Sequence, residues 1–271
     1  MHYAATDGDK VNFLTHFEGR IIKFAKITVN CKLQTLICKV PLLLSIDTST
    51  RGCSVALHQD GHLLSSYELL ADKSSSGMLT TLIHNAVDHA GYQLAEVDAF
   101  AVAQGPGSYT GLRIAVSTAK GLCFALDKPL IAINTLEAMA LQVKLFFETN
   151  YLLCPMLDAR RMEVFCALFD CELKFVEPTQ AKIIDQQSFA GVLEEYSVVF
   201  FGDGAEKCRQ VLGQNPNAYF LSHVISPSAK TVGELAWKRF QNQQFEEIAT
   251  FEPFYLKDFM ATTPKSHKHT N

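Results

Sequence analysis

VDAFAVAQGPGSYTGLRIAVSTAKGLCFAL, residues 97–126, reads in order as an apolar strand, a glycine loop and a helix. The run VDAFAVAQ is short, apolar and closed by a turn signal, as a buried strand requires. Gly105, Gly107 and Gly111 then permit tight turning and close approach of whatever backbone lies above the loop. Ser108 stands where a helix N-cap belongs, and the apolar spacing predicts a helix from Gly111 to about Leu126. The loop fits no known phosphate or nucleophile motif. Its G-x-G-x-x-x-G spacing is one residue longer than the dinucleotide fingerprint, no P-loop lysine follows, and no serine sits centrally between paired glycines. On sequence alone two readings stay open: a structural turn with a capped helix, or an anion site at a helix N-terminus.

Upstream, LLLSIDTS (42–49), CSVALH (53–58) and HLLSSYELL (62–70) read as three strands. Asp60-Gly61 between the last two suits a tight hairpin turn, which makes the three an antiparallel meander. A helix over 76–90 precedes the quoted stretch, and a strand at PLIAI and a helix from Thr135 to about Phe147 follow it. A second unit starts near Tyr151. YLLCPMLDA reads as a strand, MEVFCALFD and ELKFVE as a hairpin, SVVFFGDG as a strand entering a helix, and AKTVGELAWKRFQ as a late amphipathic helix. A meander followed by alternating helix and strand indicates an α/β protein with a mixed sheet covered by helices. The tail from Thr262 is polar and reads as disordered.

With 271 residues, 48% hydrophobic and 19% charged, the chain can bury a sizeable core. The formal charge of -4 is unevenly spread: the first 40 residues carry six Lys or Arg against three Asp or Glu, leaving -7 on the rest. So acidic a body argues against a broad phosphate-binding surface, and any nucleic acid is expected to be shared with a partner. Cys53, Cys123, Cys154 and Cys166 lie inside apolar runs and read as reduced core residues, and no C-x-x-C occurs. No apolar stretch reaches the roughly 18 residues of a membrane span. The first 40 residues lack an uninterrupted apolar core or a small-residue cleavage signature, so they do not read as a secretory signal. Because the next methionine after Met1 is Met78, translation is expected to begin near Val40 at a non-standard start. Native peptides from residues 1–39 in mass spectrometry would contradict that.

The helix after the glycine loop is unusually apolar. Arg113, Ser117 and Lys120 share one narrow stripe, while Leu112, Ile114, Ala115, Val116, Ala119, Leu122, Cys123 and Leu126 spread over most of the rest. A helix lying on one sheet needs an apolar arc of only about 100°. The preceding helix spreads Met78, Leu79, Leu82, Ile83, Ala86 and Val87 over half its circumference. Together they suggest an interface to another chain, with Met78, Leu82, Ile83, Leu112, Arg113, Ala115, Val116, Ala119 and Leu122 as its candidates. Replacing Ala115 and Ala119 by Asp is then expected to abolish pairing and leave the monomer folded. Asp47 and Thr48 close the first strand with a carboxylate and a hydroxyl, as at a phosphate or metal site or a capped turn. With Gly105, Gly107, Ser108, Asp158 and Arg160 they form the anion-proximal or nucleotide-proximal candidates. His58 and His62 flank a turn, and His84 and His89 diverge on a helix, so neither pair suits a metal.

Taken together, LLLSIDTSTRGCSVALHQDG, VDAFAVAQGPGSYTGLRIAVSTAKGL, MLDARRMEVFCALFD and EPFYLK resemble the TsaB (YeaZ) family over residues 42–258. The resemblance implies an ASKHA (actin-like, ribonuclease H-like) fold with two subdomains, 42–148 and a reduced 149–258, flanked by an extension (1–41) and a tail (259–271). It implies a non-catalytic subunit of the complex that forms threonylcarbamoyladenosine in tRNA, pairing with the catalytic paralogue TsaD and able to homodimerise without it. The family also implies an ATPase partner, TsaE, and a cytoplasmic location. The chain would hold no cofactor of its own, ATP being used by the complex. The paralogue carries a metal-binding H-x-E-G-H where this chain reads TLEAM, so Thr135 and Met139 stand in place of imidazoles. The alternative is an independent metallopeptidase, or a sugar-kinase-like ATP-binding enzyme.

Overall fold

The computed structural model describes residues 40–70 and 75–256, and the backbone of four short strands nearer the N-terminus. Those strands, β1 (Tyr3–Asp7), β2 (Lys10–Leu14), β3 (His16–Phe17) and β4 (Arg20–Ile21), pair antiparallel as β1 with β2 and β3 with β4. They belong to one compact unit, Met1–Val40, and everything that follows belongs to another, Pro41–Asn271. The expectations for the side chains of the extension and for the tail lie outside the described residues.

In the second unit β5 (Leu42–Asp47), β6 (Cys53–Gln59) and β7 (His62–Leu69) form the antiparallel meander, turning through Asp60 and Gly61 at φ 51° and 76°. β8 (Ala99–Gly105) then pairs parallel with β5, and β9 (Leu130–Asn134) parallel with β8. The order is β7-β6-β5-β8-β9. A second sheet repeats it. β10 (Tyr151–Asp158), β11 (Glu163–Phe169) and β12 (Phe175–Ile183) form a meander, β13 (Ser197–Phe201) joins parallel to β10, and β14 (Ala218–Phe220) parallel to β13. The order β12-β11-β10-β13-β14 matches the first sheet strand for strand and direction for direction. One supersecondary unit, a meander plus two crossover-linked parallel strands, occurs twice.

The helices are α1 (Ser75–Asp88), α2 (Tyr109–Leu126), α3 (Thr135–Val143), α4 (Ala190–Glu195), α5 (Ala205–Leu212) and α6 (Ala229–Gln241). α1 and α2 cover one face of the first sheet, with Leu79, Ile83, Ala115 and Ala119 against Leu44, Ile46, Phe100 and Val102. The opposite face meets α3 and α6. α3 is buried nearly all round, because Ala138 packs toward the first sheet and Leu136, Met139 and Val143 pack toward the second. α4 and α5 close the outer face of the second sheet.

One boundary differs from the sequence expectation. α6 falls in the stretch assigned to the second subdomain, but Val232, Leu235 and Ala236 pack on Leu43, Ala101, Ile131 and Ile133 of the first sheet. Nothing in a period of 3.6 tells which of two sheets an amphipathic helix will choose. Arg239 fixes the choice: it donates to the Ala132 carbonyl at 2.6 Å and to Glu137 of α3 at 2.9 Å. Burial pushes the Glu137 carboxyl up, and the Arg239 charge opposes it. Arg239→Ala is expected to cost about 2 kcal/mol, since it leaves a largely buried carboxylate unpaired. Adding Glu137→Ala should recover part of that loss in urea unfolding; equal midpoints for the single and double variants would refute the coupling.

Candidate functional site

The glycine loop is shaped by the turn that follows β5. β8 ends at Gly105 with φ 122°, and the Ser108 N–H donates to the Ser49 carbonyl at 2.6 Å. The Thr48 hydroxyl donates to the Gly111 carbonyl at 2.6 Å. A Cβ at Gly107 would lie 2.2 Å from the Ser49 carbonyl oxygen, and one at Gly111 would lie 2.0 Å from that of Thr48. Asp47 holds this turn in shape, its Oδ1 accepting from the Ser49 N–H at 2.8 Å and the Ser49 hydroxyl at 2.6 Å. Its Oδ2 is buried without a partner among the described residues. Burial pushes the Asp47 carboxyl up to about 6, despite the lowering by both Ser49 bonds.

These contacts favour the structural reading of GPGSYTG, a turn with a capped helix. The space that glycine opens is filled by main-chain carbonyls of the chain's own β5–β6 turn, whose partial negative charge repels an anion. The Ser108 N–H is spent on one of them. Ser108 also caps α2, its hydroxyl accepting from Gly111 N–H at 3.3 Å. The loop therefore works as a joint between β5, β8 and α2. A C-terminal strap covers the joint from outside: Phe254 N–H donates to the Gln104 carbonyl at 2.8 Å, and Lys120 Nζ donates to the carbonyls of Phe251 (2.9 Å) and Ala249 (3.3 Å). The Tyr255 ring lies 4.7 Å from that of Tyr109.

The second half repeats the joint, which the sequence reading did not notice. β13 ends in Gly202-Asp203-Gly204 as β8 ends in Gly105-Pro106-Gly107, and Gly202 also has positive φ, 104°. A Cβ at Gly204 would lie 2.8 Å from the Leu157 carbonyl carbon, as Gly107 abuts Ser49. Asp158 ends β10 as Asp47 ends β5. Its N–H donates to Asp203 Oδ1 at 2.9 Å, and its Oδ1 accepts from Arg160 N–H at 2.9 Å and from Lys207. Burial pushes the Asp158 carboxyl up, but Lys207 and the Arg160 N–H outweigh this and hold it below its usual range. A G-x-G closing an apolar strand in both halves was the available signal.

The interface candidates divide. Leu82, Ile83, Leu112, Ala115, Val116 and Ala119 are buried within the chain's own core. The surplus apolar arc of α2 is covered from within, by α1 on one side and by Ile248 and Phe251 of the strap on the other. Ala115 and Ala119 are both 0% exposed, so aspartates there would enter the core and unfold the monomer instead of sparing it. Met78 and Arg113 are exposed and Leu122 is half-buried. What α2 does present outward is Thr110, Ile114, Ser117, Thr118, Gly121 and Ala125, one stripe of mostly small side chains, with Phe124 at its edge 86% exposed. α1 presents Met78, Thr81 and His84.

His58 is buried, as are Thr135 and Met139, whose side chains lie in α3 between the sheets. Among the described residues no group of three or more His, Cys, Asp or Glu side chains could hold a metal ion. Nor is any helix among them long and apolar enough to cross a membrane.

A five-stranded mixed sheet, β7-β6-β5-β8-β9, repeated in the same order and directions as β12-β11-β10-β13-β14, defines an ASKHA-fold protein of the actin-like class. The family model described as "TsaD: tRNA N6-adenosine threonylcarbamoyltransferase" matches residues 69–265, and the chain belongs to that family. The relatives that it matches along most of their length are TsaB proteins. It is 28% identical to the Haemophilus influenzae tRNA threonylcarbamoyladenosine biosynthesis protein TsaB, over 80% of this chain and 93% of that one. With the Escherichia coli TsaB it shares 27% identity over 81% and 96%. Among solved structures, YeaZ from Pseudomonas aeruginosa superposes with a TM-score of 0.67 at 27% identity, covering 80% of this chain and all of the other.

Proposed function

We propose that this chain is a non-catalytic subunit of the complex that forms threonylcarbamoyladenosine in tRNA, pairing with the catalytic paralogue TsaD. Its likeness to TsaB proteins along nearly their whole length supports the pathway. One observation carries the non-catalytic role: Thr135 and Met139, which stand where the paralogue's pattern asks for metal-binding histidines, are both 0% exposed in α3. Neither side chain replaces imidazole on a divalent metal. The chain holds no cofactor of its own, and ATP is used by the complex, with TsaE as the ATPase. It acts in the cytoplasm, where its tRNA is.

The pairing surface is the exposed stripe of α2 with the outward side of α1, where small side chains let another helix approach closely. In the absence of TsaD the same stripe serves a homodimer. Gly121→Glu with Ala125→Glu puts two charges on this stripe at exposed helical positions that tolerate glutamate. The variant is expected to keep its melting temperature and to elute from size exclusion apart from co-expressed TsaD. Co-elution would place the interface elsewhere. Reconstitution from threonine, bicarbonate, ATP and tRNA tests the function itself, and full modification without this chain would defeat it.

A further inference from the structure

The β10–β11 turn carries two neighbouring arginines in a backbone conformation that arginine rarely adopts. Arg160 has φ 69° and Arg161 φ 49°, both in the left-handed region that favours glycine. Such conformations persist when the surroundings over-determine them. Here Lys207 does so, reaching from α5 to donate to the carbonyls of Arg161 and Glu163 at 2.7 Å each and to the Asp158 carboxylate. The Arg160 N–H is held by Asp158 at 2.9 Å, and Asp158 N–H is held in turn by Asp203. Five hydrogen bonds thus fix a tip whose two side chains are exposed and whose guanidiniums have no partner among the described residues.

The tip sets two exposed guanidiniums side by side in an acidic body. Residues 41–271 carry 18 Lys or Arg against 25 Asp or Glu. At the tip, Arg51 of the β5–β6 turn and Lys207 both act on Asp158 and Asp203, and burial pushes the Asp203 carboxyl up. We infer that the Arg160–Arg161 tip is a docking point for the phosphate backbone of an RNA. Paired guanidiniums in a fixed turn suit adjacent phosphate oxygens, and a small basic spot rather than a broad one suits an RNA held jointly with another chain. This rests on the tRNA-modifying role proposed above.

The test uses the complex of this chain with TsaD and a transcribed tRNA that reads an A-starting codon. Arg160→Gly with Arg161→Gly removes both charges, and glycine adopts these φ values freely, so the melting temperature is expected to hold. Should that variant unfold, Arg160→Asn with Arg161→Asn carries the same readout. Pairing with TsaD should be unchanged, tRNA affinity should fall about tenfold, and the slope of log affinity against log salt should shrink by about 1 to 2. Unchanged affinity and slope overturn the inference, as does a loss of TsaD pairing, which would make the tip a protein contact. The wild-type control separates the two claims. Absence of wild-type pairing defeats the proposed function and the tip with it, whereas a pairing variant that binds tRNA normally defeats the tip alone.

Discussion

Gly107→Ala and Gly111→Ala are each expected to lower the stability of the chain by about 3 kcal/mol, the upper end for overpacking. For a chain of this size that is a fall in melting temperature of roughly 6–12 °C. The added methyl groups would sit 2.2 Å from the Ser49 carbonyl oxygen and 2.0 Å from that of Thr48. Neither contact can be relieved by turning a side chain, because the obstacle is backbone. The β5–β6 turn must move, and with it the Ser49 carbonyl that receives the Ser108 N–H. Gly121 supplies the control within the same helix. A Cβ there meets nothing within 4 Å, so Gly121→Ala should instead raise stability by about 0.5–1 kcal/mol through helix propensity. Thermal unfolding of the three variants decides the matter, and Gly107→Ala melting as high as Gly121→Ala would sink the joint. Because α2 starts at this joint, the two destabilised variants are also expected to pair less well with TsaD.

What was legible beforehand follows from what short-range pattern encodes. The Asp60-Gly61 turn needs positive φ at both residues, which few dipeptides supply, so the meander was readable from two letters. AKTVGELAWKRFQ was readable to the residue, since Ser228 caps it and its apolar face recurs at helical spacing. α4 and β14 escaped because six and three residues hold no measurable period. What covers α2 was only partly legible for a different reason. Periodicity reports how wide an apolar arc is, and the arc of α2 is truly wide, but it cannot say what covers it. The covering strap at 246–255 is held largely through its main chain, two carbonyls accepting from Lys120 and the Phe254 N–H donating to the Gln104 carbonyl, and main-chain bonds leave no side-chain pattern to read. Arg160 and Arg161 were visible as charges, while their strained backbone and the Lys207 clamp belong to the tertiary structure.

Two buried ionisable groups under the first sheet's helices are expected to tilt its acid response in opposite directions. Asp47 has its carboxyl raised from 3.8 to about 6 by burial, so the folded state binds the extra proton between those values. Its contribution therefore falls as pH rises from 3.8 to 6 and stays low above. His58 lies against Gly233 of α6, and burial lowers it from 6.5 to about 4. There the unfolded chain binds the extra proton, so stability is full above 6.5 and is lost as pH falls toward 4. Between pH 7 and 4.5 each is expected to shift stability by about 2 kcal/mol, with opposite sign, and the two nearly cancel in the wild type. Asp47→Asn keeps an acceptor for Ser49 and removes the first titration, so relative to wild type it should lose about 2 kcal/mol more on acidification. His58→Gln should lose about 2 kcal/mol less. Urea midpoints at the two pH values provide the comparison, and parallel profiles for all three proteins would refute it. The Asp47 outcome bears on function too: its charge costs stability at neutral pH, yet it orders Ser49, Ser49 holds Ser108, and Ser108 caps the helix proposed to meet TsaD. Asp47→Asn should accordingly leave pairing intact, whereas Asp47→Ala, which removes the acceptor, should weaken it.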